Sequence, residues 1–354
     1  MNIENMVQGI VWLLIIIYFF RTMFKKEEEK DIPTLLITGG LSIFSTDIDF
    51  LLNLVNSDSK GFRYTDIIQY VFGLTLIVIG SFISYREKKQ YHVFNLLGEN
   101  NKIELIKNDF KVKNIKTGIV RERSIDFMLL LESQKMNEKT NELINKIIRR
   151  ETETINNYPV KDNIYLTSMA AIPYTVLFGT YLSNRSNIKY INYNRLESEF
   201  ELLPNEIKKR KRLNINVEKD FCESRTNSSN EVLVSISGTF HIHETDLSKF
   251  DVTNQVKISF DNIIENNLSS QQEIVTIANE IVNELINISK RFSSIHVAAA
   301  IPGMLSLELG RCIKNRENQL QQIIFYHYIA QYNSRYKYGI VVNGNNKEEL
   351  IKKG

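Results

Sequence analysis

Ser294–Ile313, SIHVAAAIPGMLSLELGRCI, decides the fold, because Asn163–Leu182, NIYLTSMAAIPYTVLFGTYL, repeats its plan. Each stretch is a short apolar run, then small residues, then Ile-Pro, then a helical pattern. The runs, Ile164–Thr167 and Ile295–Ala298, are short and partly β-branched, as expected of buried strands. Pro173 and Pro302 suit a first helical position, where the missing N–H costs nothing. Ala170–Ala171 and Ala299–Ala300 leave the strand-to-helix turn unobstructed. Such a turn presents free amides and a helix N-terminus at the carboxyl end of a sheet, where open α/β sheets bind anions.

The repeat extends outward. Helical patterns precede both strands, at Asn137–Glu151 and Ser270–Lys290, and apolar runs follow both helices, at Ile188–Tyr193 and Ile323–Tyr328. Glu231–Phe240, EVLVSISGTF, alternates as a strand and opens the second copy, as Ile125–Leu131 opens the first. Gln255–Phe260 follows after the charged loop Glu244–Asp251. The spacing is imperfect, since Gly179 falls six residues after its proline and Gly310 eight. Two copies of an α/β unit predict a pseudo-two-fold domain with a ligand cleft between its halves.

The chain of 354 residues has a net charge of +3, so no strongly basic field argues for duplex nucleic acid. Cys222 and Cys312 are far apart, with no His or Cys at ligand spacing. That excludes a local zinc signature and a disulfide framework, and predicts a reducing, cytosolic setting for the main domain.

The N-terminal quarter reads as membrane. Met6–Phe24 is about long enough to span a bilayer, and it lacks the basic start and small-residue cleavage site of a signal peptide. Tyr64–Tyr85 contains a second apolar stretch, Ile67–Ser84, followed at once by Arg86, Lys88 and Lys89, which places that end in the cytoplasm. Thr34–Val55 is mostly apolar but carries Asp47 and Asp49, each costing about 2.5–3.5 kcal/mol on insertion. It is either a third span with its acids facing a bundle interior or water, or a re-entrant or interfacial segment. The expected organisation is an α-helical transmembrane module of two or three spans at 1–90, a connector at 91–124 with a short strand at Lys102–Lys107, and an α/β domain at 125–354. Lys208–Arg212, KKRKR, reads as a solvated or membrane-facing run ahead of a phosphate site.

No GxSxG, Walker lysine motif, HExxH or GxGxxG occurs, so binding and not turnover is expected at the sheet. Ser168 follows a strand without a nearby histidine base. His296 lies within a strand run and reads as a satisfied structural histidine. His241 and His243 would share a strand face around Ile242, as two metal ligands lacking a third or as a surface pair.

TSMAAIPYTVLFG (Thr167–Gly179), SIHVAAAIPGMLSLELGR (Ser294–Arg311) and IIFYHY (Ile323–Tyr328) resemble the paired motifs of the SAVED domain, over roughly residues 125 to 354. The resemblance implies two fused CARF-like, Rossmann-like halves that sense a cyclic oligonucleotide in bacterial anti-phage CBASS defence. With its N-terminal segment the chain is similar to transmembrane SAVED effectors. That implies a messenger made by a CD-NTase cyclase, self-association on binding, disruption of the lipid bilayer of the bacterial inner membrane, and a cytoplasmic sensor domain. It implies neither a cofactor nor an enzyme activity.

A cyclic di- or trinucleotide needs amide donors for its phosphates and flat side chains for its bases. The amides of Tyr174, Thr175, Gly303 and Met304 are candidates for the first. Tyr174, Tyr193 and Tyr328 are candidates for stacking, at roughly 1–3 kcal/mol per base, and each is equally explicable as core. Arg195, just past a strand end, is the candidate phosphate cation. Ser168, Met169, Ala299 and Ala300 fall at the cleft in the two copies, and Gly303 is expected to let the ligand approach its helix. The alternatives are a CARF-like enzyme that degrades its cyclic ligand and a membrane-tethered nucleotide- or sugar-binding scaffold.

Overall fold

The computed structural model describes residues 36–41, 64–87, 90–98, 119–127, 136–158, 163–182, 187–194, 199–206, 213–221, 230–248, 250–265, 267–329 and 335–353. The chain divides into two units, Met1–Lys89 and Gln90–Gly354.

In the first unit, residues 36–41 form a helical turn and Tyr64–Glu87 forms α1. Leu36 and Leu76 are buried, and Gly40 seats against α1, where a Cβ would fall 2.8 Å from the Gly73 carbonyl oxygen. Among the described residues no helix is long and apolar enough to cross a membrane. This corrects the first part of the expected fold class, the α-helical transmembrane module of two or three spans. Gly73, Thr75, Gly80 and Ser81 interrupt the apolar residues of α1, and part of its surface is occupied by packing within the unit. The stretch Met6–Phe24, and Thr34–Val55 with Asp47 and Asp49 apart from residues 36–41, lie outside the described residues.

The second unit is the expected α/β domain, and its duplication is visible in the strand order. Its first half runs β1 (Gln90–Leu97), β2 (Ile119–Asp126), α2 (Glu138–Asn156), β3 (Ile164–Met169), α3 (Ile172–Tyr181), β4 (Ile188–Asn194) and β5 (Glu199–Leu202). The sheet order is β2-β1-β3-β4-β5, parallel except for β5. After β6 (Ile215–Asp220), the second half runs β7 (Glu231–Ser237), β8 (Gln255–Phe260), α4 (Gln271–Ser289), β9 (Ser294–Ala300), α5 (Gly303–Asn315), β10 (Gln322–His327), β11 (Tyr338–Asn343) and β12 (Leu350–Lys352). Its order is β8-β7-β9-β10-β11, again parallel except for the last strand, with β6 and β12 added at the edges. In both halves the order reverses beside the first strand, which is the switch point where open sheets form ligand crevices.

Three expectations change. The segment expected as a connector supplies β1 and β2, so the α/β unit begins at Gln90. The strand near the expected Ile125–Leu131 is Ile119–Asp126, the second of the unit, and Lys102–Lys107 lies outside the described residues. The two copies also align differently from their Ile-Pro pairs. Met169 ends β3 opposite Leu97, and Ala300 ends β9 opposite Ser237. The helices start three residues later, at Ile172 and Gly303, so Pro173 is a second helical residue while Pro302 is an N-cap. On this alignment Gly179 and Gly310 both fall seven residues after their helix start, and the six-against-eight mismatch disappears.

Those two glycines are where the halves meet. α3 packs on α5, and each also reaches across to the other half's sheet, α3 to β10 and β11, α5 to β3 and β4. A Cβ on Gly179 would lie 2.2 Å from the Leu307 carbonyl oxygen, and one on Gly310 would lie 2.0 Å from that of Val176. Only glycine lets the two backbones approach this closely. One continuous apolar core results, with Leu166, Val176 and Leu177 from one half and Val297, Leu305 and Leu309 from the other.

Polar ties close the seam. Arg311 and Glu308 on α5 are buried and paired at 2.7 Å, and the hydroxyl of Tyr190 on β4 bonds to both, accepting from Arg311 at 3.2 Å and donating to Glu308. Gln271 at the start of α4 accepts from the Tyr190 amide and donates to its carbonyl oxygen, each at 2.8 Å. Glu348, between β11 and β12, has φ +79° and faces the first half. Its carbonyl oxygen accepts from Asn141 at 2.8 Å and Asn145 at 3.1 Å, and its carboxylate from Arg149 and the Tyr181 hydroxyl.

Candidate ligand-binding cavity

A cavity of about 740 Å³ opens at the carboxyl ends of β3, β4, β9 and β10. That is toward the upper part of the range for small-molecule sites, about 300–1,000 Å³. Its floor is the two strand-to-helix turns, Thr167–Ile172 and Ala299–Met304. Small side chains keep the floor low: Ala170, Ala171 and Ala299 are buried and present only a methyl group.

Both helices that start here start open. Ala171 and Pro302 are the N-caps of α3 and α5, and neither start receives a side-chain capping bond. The first-turn amides and the positive end of each helix dipole therefore remain for an acceptor from outside the helix. The Thr175 amide is already spent on the Ala171 carbonyl oxygen at 3.0 Å, so the free donors lie before it. The Ser168 hydroxyl sits 2.9 Å from that of Thr175, which also donates to the Ala171 carbonyl oxygen at 3.2 Å. These bonds stiffen the turn.

The walls come from sequence-remote segments. Asn192 and Tyr193 lie in the last three residues of β4, and His327 and Tyr328 stand at the end of β10. The loop after β7 brings Thr239, Phe240, His241, His243 and Asp246. It is held in place by Gly238 and Thr239 amides on the Ala300 carbonyl oxygen (2.9 and 2.8 Å), by the Ile242 amide on Ser237 Oγ (3.1 Å) and by the His243 amide on Asp246 (3.2 Å). Arg335 pairs with Asp246 at 2.9 Å and donates to the Tyr328 hydroxyl at 3.1 Å, while Tyr336 meets Tyr328 edge to face at 5.4 Å. His327 is half-buried at the cavity, and burial pushes its pKa down to about 4, so it is neutral near pH 7.

Seven of the nine expected residues line this cavity: Ser168, Met169, Ala299, Ala300, Gly303, Met304 and Tyr328. Tyr193 does too. Tyr174 does not: its side chain is fully buried in the core and its hydroxyl donates to Asn141 at 3.2 Å. Arg195 and the run Lys208–Arg212 lie outside the described residues. Gly303 has a second reason for being glycine, since a Cβ there would stand 2.0 Å from the Ser168 carbonyl oxygen. His241 and His243 are not on a strand, because β7 ends at Ser237. Among the described residues no group of three or more His, Cys, Asp and Glu could hold a metal ion. His296 is satisfied, with its ring nitrogens 2.9 Å from the Tyr326 hydroxyl and 3.2 Å from Glu231.

Of the described lining residues Arg335 is the sole lysine or arginine, against Asp246 and Glu265. An anion here would be held chiefly by amides. Arg335, Tyr336 and the loop after β7 escaped sequence reasoning. The one available signal was the aromatic and basic density of Tyr328–Tyr338.

The fold is a duplicated α/β domain with a cavity lined by the equivalent strand-to-helix turns of its two halves. The family described as "SMODS-associated and fused to various effectors sensor domain", SAVED, matches residues 143–342, more than half of the chain. The chain belongs to the SAVED family. No curated protein matches it. Among solved structures, it is similar to the Acinetobacter baumannii Cap4 SAVED/CARF-domain containing receptor with the cyclic trinucleotide 2'3'3'-cAAA, at 12% identity and a TM-score of 0.48. The same receptor with 3'3'3'-cAAA gives 12% and 0.45, and without either 10% and 0.43. The alignment covers 78% of this chain and 56% of the receptor in both trinucleotide structures, so the chain spans about half the receptor's length.

Proposed function

We propose that this chain is a receptor for a cyclic oligonucleotide, a cyclic di- or trinucleotide made by a CD-NTase cyclase, and that it acts by binding without turnover in anti-phage defence. The observation that carries the reading is the pair of uncapped helix starts on one cavity of about 740 Å³. Two sets of oriented amides suit a ligand with more than one phosphate. Tyrosines at two strand ends suit one with more than one base. Membership of a sensor-domain family supports it, and so does the resemblance of the duplicated Ala-Ile-Pro turns. Ligand-driven self-association belongs to the proposal. Membrane disruption and an inner-membrane position rested on a transmembrane module that the described helices do not supply.

The test is calorimetric titration of the full chain with c-di-AMP, c-di-GMP, 3',3'-cGAMP, 2'3'3'-cAAA and 3'3'3'-cAAA. At least one should bind at micromolar concentration or tighter, and AMP should not compete. Binding by none would overturn the reading. Chromatography of the recovered ligand separates receptor from ligand-degrading enzyme, with an intact ring expected. Light scattering should show the complex growing beyond the size of the free chain.

A further inference from the structure

The tyrosines at the cavity are equivalent by strand register. Leu166, three residues before the end of β3, pairs with Tyr190 of β4, and Val297, three before the end of β9, pairs with Phe325 of β10. Counting on from those partners, Asn192 and Tyr193 occupy the places of His327 and Tyr328. All four line the cavity. Each tyrosine leans on an aromatic ring from beyond its strand: Tyr193 on Phe200 at 4.9 Å between centroids, Tyr328 on Tyr336 at 5.4 Å. Each is preceded by an uncharged side chain with both a donor and an acceptor. Asn192 is one by nature, and His327 is one because burial keeps its ring neutral. A braced flat ring beside a neutral donor and acceptor matches the face and the edge of a nucleobase.

We propose that the cavity reads two bases of its ligand, one on Asn192–Tyr193 and one on His327–Tyr328, while the open starts of α3 and α5 hold the phosphates between them. This rests on the cyclic-oligonucleotide reading and adds how many bases side chains recognise, and where. The two shelves are not identical. Arg335 braces Tyr328 through its hydroxyl and is itself held by Asp246, so the second shelf also offers a fixed guanidinium to the phosphate beside its base. Tyr328 is 41% exposed and is not a core residue, so its truncation leaves the fold intact.

The experiment uses the full chain and the tightest-binding cyclic oligonucleotide of the five above. Tyr193→Leu and Tyr328→Leu should each weaken binding about tenfold or more. Tyr193→Phe, which keeps the ring and its packing, should bind more tightly than Tyr193→Leu. His327→Leu should lose about tenfold, His327→Gln should recover to within a few-fold, and His327→Lys should not. A urea midpoint for each variant shows that it is folded. Should either leucine variant bind within twofold of wild type, or His327→Lys bind as well as His327→Gln, the two-shelf assignment fails while the receptor reading stands. Absence of binding by wild type itself removes both.

Discussion

The two pairs of helices in the second unit occupy equivalent places in their halves, yet they are built to opposite rules. α2 and α4 are 19 residues each and start on a side-chain cap, Asn137 accepting from the Thr140 amide at 2.9 Å and Ser270 from the Glu273 amide at 3.2 Å. Each buries one stripe, Ile144, Ile148 and Ile155 on α2 and Ile274, Ile281 and Leu285 on α4. α3 and α5 are shorter, are buried all round from Pro173 to Thr180 and from Met304 to Ile313, and start on Ala171 and Pro302 without a side-chain cap. A helix that covers a sheet keeps a wet face and closes its own N-terminus. A helix on the axis between two sheets has no wet face, and its open N-terminus becomes part of the cavity floor. The difference separates helices that only hold the fold from helices whose starts also line the cavity.

The strongest way to break the comparison is at the α3–α5 crossing. Gly310→Ala puts a methyl group 2.0 Å from the Val176 carbonyl oxygen, and backbone cannot step aside as a side chain can. We expect a loss of about 3 kcal/mol, at the upper end for overpacking, read as a lower urea midpoint. Gly238→Ala is the control, because its neighbours at 3.0–3.2 Å are the side chains of Phe260 and Ile301. Equal stability of the two variants would mean that the helices slide apart cheaply.

A smaller effect should come from closing one open start. Ala171→Asp places a carboxylate at the N-cap of α3, where it bonds the free amides and meets the ligand's phosphates with like charge. Affinity for the cyclic oligonucleotide should fall about tenfold, roughly 1.4 kcal/mol, by calorimetry. Unchanged affinity would take the start of α3 out of the phosphate site.

The smallest effect sharpens the other side. Asn137→Ala and Ser270→Ala should each cost about 1 kcal/mol of stability in urea, because each strands an N-terminal amide. Ligand affinity should stay within twofold. A larger change would show that α2 and α4 also position the site.

The strand-to-helix turns and the flanking helices were legible because their signals are local: apolar runs of strand length, Ile-Pro after small residues, and helical periodicity over 19 positions. β2 was not, since IVRERSID is as polar as a linker. It earns its place by pairing along all of β1 and through Arg123, which bonds Glu151 of α2 at 2.7 Å. The Tyr174 side chain was misjudged as a stacking ring because a tyrosine in the first turn of a helix can face a cleft or a core, and here it packs in the core with its hydroxyl on Asn141. The Ile-Pro pairs misled the alignment by two residues, because likeness of residues was followed where strand register governs.

By itself the sequence determined that the chain holds a duplicated α/β unit with two small-residue turns. Runs, breaks and periodicity act over a few neighbouring residues and need no partner to be read. Tertiary structure decided that the turns share a floor, that Gly179 and Gly310 fix how near the halves come, and that Arg335, Tyr336 and the loop after β7 form the walls. Those residues are tens of positions from the turns. Their convergence depends on strand order and helix crossing, which backbone pairing and close packing set once the whole chain has folded.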